Sequence, residues 1–140
     1  LTEHRKAFEA IQWMIGRYEG GKAGYEKTFT IESAQEGTIL TWRSKTVSNG
    51  TVLFEDLLVF SYDAARKRLR ARQFAFGTVA TYDVEAREGQ LVFTETEREG
   101  GKMKPWRYTI APTEEGFQYQ VDVKDNGTYR AYIRHSVKRS

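Results

Sequence analysis

The sequence predicts a single all-β domain over residues 1–140: an antiparallel up-and-down barrel of about ten strands, with one short N-terminal helix closing an end. Three observations carry this expectation. Turn signals recur every 11 to 14 residues or so, at about the spacing that one strand needs and too short for a crossover helix. They fall at Gln35-Glu36-Gly37, Asn49-Gly50, Asp63 to Lys67, Gly77, Glu88-Gly89, Gly100-Gly101, Glu114-Glu115-Gly116 and Asp125-Asn126-Gly127. Between them lie segments rich in β-branched and aromatic residues. A meander of so many strands curls, and closure removes its two exposed edges. A two-sheet clam is the close alternative.

The helix comes first. Thr2 can cap it, Phe8, Ile11 and Ile15 recur at helical spacing, and Gly16 stands where a left-handed C-terminal residue belongs, so a helix is expected from Thr2 to Ile15. The first two strands are Arg17 to Gly20 and Tyr25 to Ser33. Next come Thr38 to Val47 and Thr51 to Tyr62, the latter apolar on both faces at Leu57, Leu58, Val59 and Phe60, where a surface patch would suit a homodimer. The basic run Ala65 to Gln73 leaves a turn and enters a strand that carries Arg68, Arg70 and Arg72. A hairpin about Gly77 sets Arg68, Arg70 and Arg72 on one face, two of them opposite Asp83 and Glu85, and Leu69, Ala71, Tyr82 and Val84 on the other. Cross-strand ion pairs then account for the run without nucleic acid. Leu91 to Arg98 and Pro105 to Ala111 follow, with Glu95 and Glu97 on a solvated face. The stretch Phe117 to Val123 alternates most cleanly. In the last strand Tyr129, Ala131, Ile133, His135 and Val137 form the more apolar row and are expected inside, leaving Arg130, Tyr132 and Arg134 outside.

Bulk composition narrows the function. Apolar residues make up 39% and aromatics 14%, so the interior is built from few, large side chains. The net charge of +3 is mild and the signs are interspersed, which gives no case for a nucleic-acid partner. Lack of cysteine removes thiol chemistry and disulfides, and no apolar run reaches membrane-spanning length. With no signal peptide visible a cytoplasmic location is favoured, and Leu1 in place of Met keeps an exported form open. Catalytic motifs are missing: no phosphate-binding glycine loop, no nucleophile elbow, and two histidines at opposite ends of the chain. Glu55 and Asp56 interrupt an apolar strand, so one of them is expected to point inward, where it would suit a cationic or hydroxylated ligand.

The stretch Gln12 to Ile31, a helical turn ending in Trp-x-x-Gly-x-aromatic-x-Gly and followed by a long strand, resembles the opening of calycin-like proteins. Together with Glu36 to Leu40, Phe54 to Phe74 and Gly77 to Phe93 it is similar to small bacterial barrels of uncharacterised function and, more distantly, to nitrobindin-type haem-binding barrels. The resemblance implies that Tyr18 lies across the barrel floor, with a late basic side chain, Arg130 or Arg134, packed over it. It also implies haem as a candidate cofactor acting on nitric oxide or peroxide. Aligned on Ala131, however, the axial histidine position holds Thr128, leaving His135 as the late imidazole. Arg130 and Tyr132 resemble the Arg-x-Tyr carboxylate clamp of intracellular lipid-binding barrels.

The reading that follows is non-catalytic binding of a small hydrophobic or amphipathic molecule, lipid-like or fatty-acid-like, inside the barrel, with no cofactor. Alternation gives the lining as Phe29, Trp42, Leu58, Phe60, Tyr82 and Phe93, then Trp106, Tyr108, Tyr119 and Tyr129, with Arg130 and Tyr132 as the candidate clamp. A haem-binding barrel and a structural module with a packed core are the alternatives.

Overall fold

The computed structural model describes residues 2–102 and 106–140. Its elements are helix α1 (Thr2–Glu9), strands β1 (Gly16–Gly20), β2 (Glu26–Ala34), β3 (Ile39–Ser48), β4 (Thr51–Asp63), β5 (Arg68–Ala75), β6 (Thr78–Arg87), β7 (Gln90–Glu99), β8 (Trp106–Pro112), β9 (Gly116–Asp125) and β10 (Thr128–Arg139), with 3₁₀ turns at Gln12–Met14 and Gln35–Gly37. Each strand pairs antiparallel with the next, and β1 closes on β10 with Tyr18 opposite Arg139. The expected closed all-β barrel is therefore present. Pro105, expected to begin the eighth strand, lies outside the described residues.

Hairpin turns set the register. Asn49-Gly50, Phe76-Gly77, Glu88-Gly89 and Asn126-Gly127 have positive φ at both positions, the twist that matches two-residue hairpins. Asn and Gly take this conformation easily. Phe76 does so at φ +43° with its ring 71% exposed, a costly arrangement for a bulky side chain. Phe76→Asn should therefore raise stability by about 0.5–1 kcal/mol, read as a higher midpoint in thermal or urea unfolding. A lower midpoint would show that the contact of Phe76 with Phe54 outweighs the strain.

The helix is shorter than expected. It ends at Glu9, and the chain tightens through Ile11 N–H to Phe8 C=O and Met14 N–H to Ile11 C=O bonds. Gly16, at φ +148°, opens β1 and does not cap the helix. Donors from β1 and β10 reach the segment that follows. Arg139 donates from Nη2 to the Trp13 carbonyl at 2.8 Å and from Nη1 to the Ile15 carbonyl at 3.0 Å, while the Tyr18 hydroxyl donates to the Met14 carbonyl at 2.8 Å. Tertiary donors thus satisfy three carbonyls that even a helix ending at Ile15 would leave without partners of its own. Ile15 is exposed, and Phe8, Ile11 and Met14 are the buried face.

These side chains form the floor, packed with Tyr18, Leu40, Phe60, Leu69, Leu91 and Phe117. The basic group over Tyr18 is Arg139, its guanidinium carbon 4.9 Å from the ring centre, in place of Arg130 or Arg134. Gly116 is required where β9 meets β10: a Cβ there would stand 2.2 Å from the Val137 carbonyl oxygen.

On the outside, Arg68 and Arg70 both reach Asp83, at 2.6 and 3.1 Å, and Leu69, Ala71, Tyr82 and Val84 are buried on the opposite face, as the register about Gly77 implies. Glu85 pairs with Arg87 instead. Among the described residues no helix is long and apolar enough to cross a membrane.

Candidate functional site

Above the floor the barrel encloses a cavity of about 320 Å³. Its wall follows from alternation: β2 contributes Lys27 and Phe29, β3 Trp42, Ser44 and Thr46, β4 Phe54, Asp56 and Leu58. Across the void stand Gln73, Tyr82 and Phe93 from β5 to β7, and Trp106, Tyr108, Tyr119 and Ile133 from β8 to β10. Eight of the sequence-predicted lining residues meet here: Phe29, Trp42, Leu58, Tyr82, Phe93, Trp106, Tyr108 and Tyr119.

The others lie elsewhere. Phe60 is fully buried in the floor, against Phe93, and does not reach the void. Tyr129 is on the outer face opposite Lys124, with the Arg107 guanidinium 4.1 Å from its ring centre. The cause is a β-bulge between Ala131 and Ile133. An extra residue there inverts the phase of the strand. Ile133, His135 and Val137 keep the expected inward row, opposite Val121, Tyr119 and Phe117, but Tyr129 and Ala131 fall outside it. Arg130 is exposed at the rim, 3.4 Å from Asp125, and Tyr132 is 61% exposed against Trp106. The two do not form a clamp in the cavity.

On β7 Glu95 follows Leu91 and Phe93 to the inner face, opposite Tyr82, buried and ion-paired with Arg98, where a solvated face was expected. A bulge at Thr81/Tyr82, with Thr96 as the extra residue, turns Glu97 outward opposite Thr81. Glu97 is exposed.

One strip of the cavity wall is polar. The inward member of the Glu55-Asp56 pair is Asp56, 8% exposed. Ser44 Oγ donates to its Oδ1, and Gln73 Nε2 to its Oδ2 at 2.7 Å. Tyr82 donates to Gln73 Oε1 at 2.9 Å and so fixes which way the amide faces. Burial pushes the Asp56 carboxyl above its ordinary range, and the Ser44 and Gln73 hydrogen bonds partly offset this. Near the mouth Lys27 Nζ donates to Tyr119 Oη at 2.7 Å. Burial, with Lys22 nearby, lowers the Lys27 ammonium, and burial raises the Tyr119 phenol to about 12, with a further upward push from Asp56. Trp42 is 7% exposed, and its indole N–H is buried with no hydrogen-bond partner among the described residues.

Ser44, Gln73 and Lys27 are site residues that sequence reasoning passed over. The signal was present: each is a polar residue in the phase of an apolar row, with Leu40 and Trp42, with Leu69 and Ala71, and with Phe29 and Ile31 respectively.

Haem finds no fitting donor set. Thr128 is exposed at the start of β10, and His135 packs its ring against Tyr119, 5.2 Å between centres, outside the set of cavity-lining side chains. No imidazole reaches into the void to hold an iron. No known protein-family model matches the sequence, and no curated protein is significantly similar to it.

Proposed function

We propose that the barrel binds, without turnover, a small amphipathic molecule in its interior, as a calycin-like, lipocalin-like carrier. The observation that carries this reading is the cavity itself, about 320 Å³ behind an aromatic wall broken by the polar strip of Ser44, Asp56 and Gln73. Finished cores are close-packed, with few voids larger than a water molecule. A space of this size argues for a guest and against a solid structural core. Volume bounds the guest. At about 320 Å³ the void is at the lower end for ligand pockets and favours a short molecule over a long acyl chain.

Gently purified protein should carry a small-molecule adduct in native mass spectrometry, and refilling the emptied barrel should change the emission of Trp42 and Trp106. Ile133→Trp, at a half-buried position in the wall, should fill the void and abolish both signals while leaving the unfolding midpoint within a few degrees. If no adduct appears and short-chain probes leave the emission unchanged, the packed-core reading takes over.

A further inference from the structure

We propose that the guest is a small organic cation, an alkylammonium or arylalkylammonium, whose charged nitrogen seats on the Asp56 carboxylate inside the aromatic wall. This rests on the cavity-binding reading above and adds the chemical class of the ligand.

Among the described residues Asp56 is the inward carboxylate whose hydrogen-bond partners are all neutral: the Ser44 hydroxyl and the Gln73 amide. It belongs to no ion pair among the described residues. Glu95, by contrast, is ion-paired with Arg98, and Lys27 is held near the mouth by the Tyr119 hydroxyl. A buried carboxylate given only neutral donors lacks the counter-charge that normally accompanies it. The void in front of it offers the space for one. Asp56 also raises the phenols of Tyr108 and Tyr119, which stand on other strands, so its field crosses the cavity.

The surrounding wall suits the same guest. Phe29, Trp42, Phe54, Phe93, Tyr108 and Tyr119 present rings to the void. The negative faces of such rings attract cations, and the attraction grows when water is excluded. An anionic guest meets the opposite situation, since Lys27 is the single cation among the described residues that line the void, Tyr132 is exposed against Trp106, and Arg130, on the inner row at the rim opposite Val123, is paired with Asp125.

The test is a matched six-carbon series, hexylammonium, 1-hexanol and hexanoate, titrated at neutral pH into the intact protein and followed by calorimetry and Trp emission. Hexylammonium should bind about ten- to a hundredfold more tightly than hexanol. Asp56→Asn should bring the two level, and Lys27→Met should leave their order unchanged. Equal affinities for hexylammonium and hexanol in the unmodified protein would overturn the cation assignment while leaving cavity binding standing. So would a preference for hexanoate that Lys27→Met abolishes. If no member of the series binds, the cavity-binding reading itself fails. The order of affinities in the unmodified protein decides the matter even if a variant folds poorly.

Discussion

Replacing Phe117 by Ala should destabilise the barrel by about 3–5 kcal/mol, the cost of removing a large buried ring and leaving a void behind. For a domain of this size that lowers the melting midpoint by about 10–20 °C. The magnitude follows from the position of the ring. Phe117 is fully buried and stands edge-on to Tyr18 at 4.7 Å, with Phe29 and Trp42 each at 5.5 Å. It therefore joins the floor to the lowest layer of the cavity wall. Local collapse is hindered because its neighbours are tied down, Tyr18 by the Met14 carbonyl and Arg139, and β9 by the close approach at Gly116. The new void should open into the cavity, so the variant should also accept bulkier probes than the parent. A loss below about 1 kcal/mol in urea unfolding would mean that the floor can repack, and that the aromatic cluster does not hold the barrel closed.

The sequence reading succeeded where local chemistry and period agree. Asn49-Gly50 and Asn126-Gly127 can hardly be anything but hairpin turns, and in β9 the alternation of Phe117, Tyr119, Val121 and Val123 assigns the inner face unambiguously. It failed where tertiary structure adds or redirects a single residue. The bulge next to Tyr132 leaves no trace in composition, yet it turns Tyr129 outward. On β7 the bulge at Thr81/Tyr82 parts Glu97 from Glu95, which follows Leu91 and Phe93 inward although it alternates innocently with threonines. Likewise the segment between α1 and β1 is tied down by Arg139, 124 residues away from Ile15, and no local propensity near Ile15 reports that. For the site, apolar residues were legible because each fits its row. Its polar strip was half legible: the break at Glu55-Asp56 was visible, but its partners Ser44 and Gln73 become meaningful only when three strands are laid side by side.

Asp56→Asn should raise stability at neutral pH by about 1–3 kcal/mol, although it alters a residue placed at the centre of the binding strip. The amide can keep both hydrogen bonds. Its oxygen accepts from Gln73 Nε2, and its nitrogen donates to Ser44 Oγ, since a hydroxyl serves as donor or acceptor. What is removed is the cost of a buried charge. The pH dependence identifies that cost. Burial raises the Asp56 carboxyl in the folded state above its value in the unfolded chain, so the folded state binds the proton more tightly. Parent stability on this account is therefore unimpaired below the unfolded value, falls as pH rises between the two values, and bears the full penalty above the folded one. The advantage of the variant should be nil near pH 3 and grow as pH rises above about 4, levelling off once the folded-state carboxyl has ionised. Melting curves of both proteins across that range check this, because the difference between them cancels the titration of all other carboxylates. A variant that is less stable at every pH would mean that Asp56 is held by its neighbours as a net stabilising group. A site that sacrifices folding stability to keep a charge in an aromatic pocket is what selection for a cationic guest would leave behind, and a saturating amine should restore to the parent what Asn gives the variant.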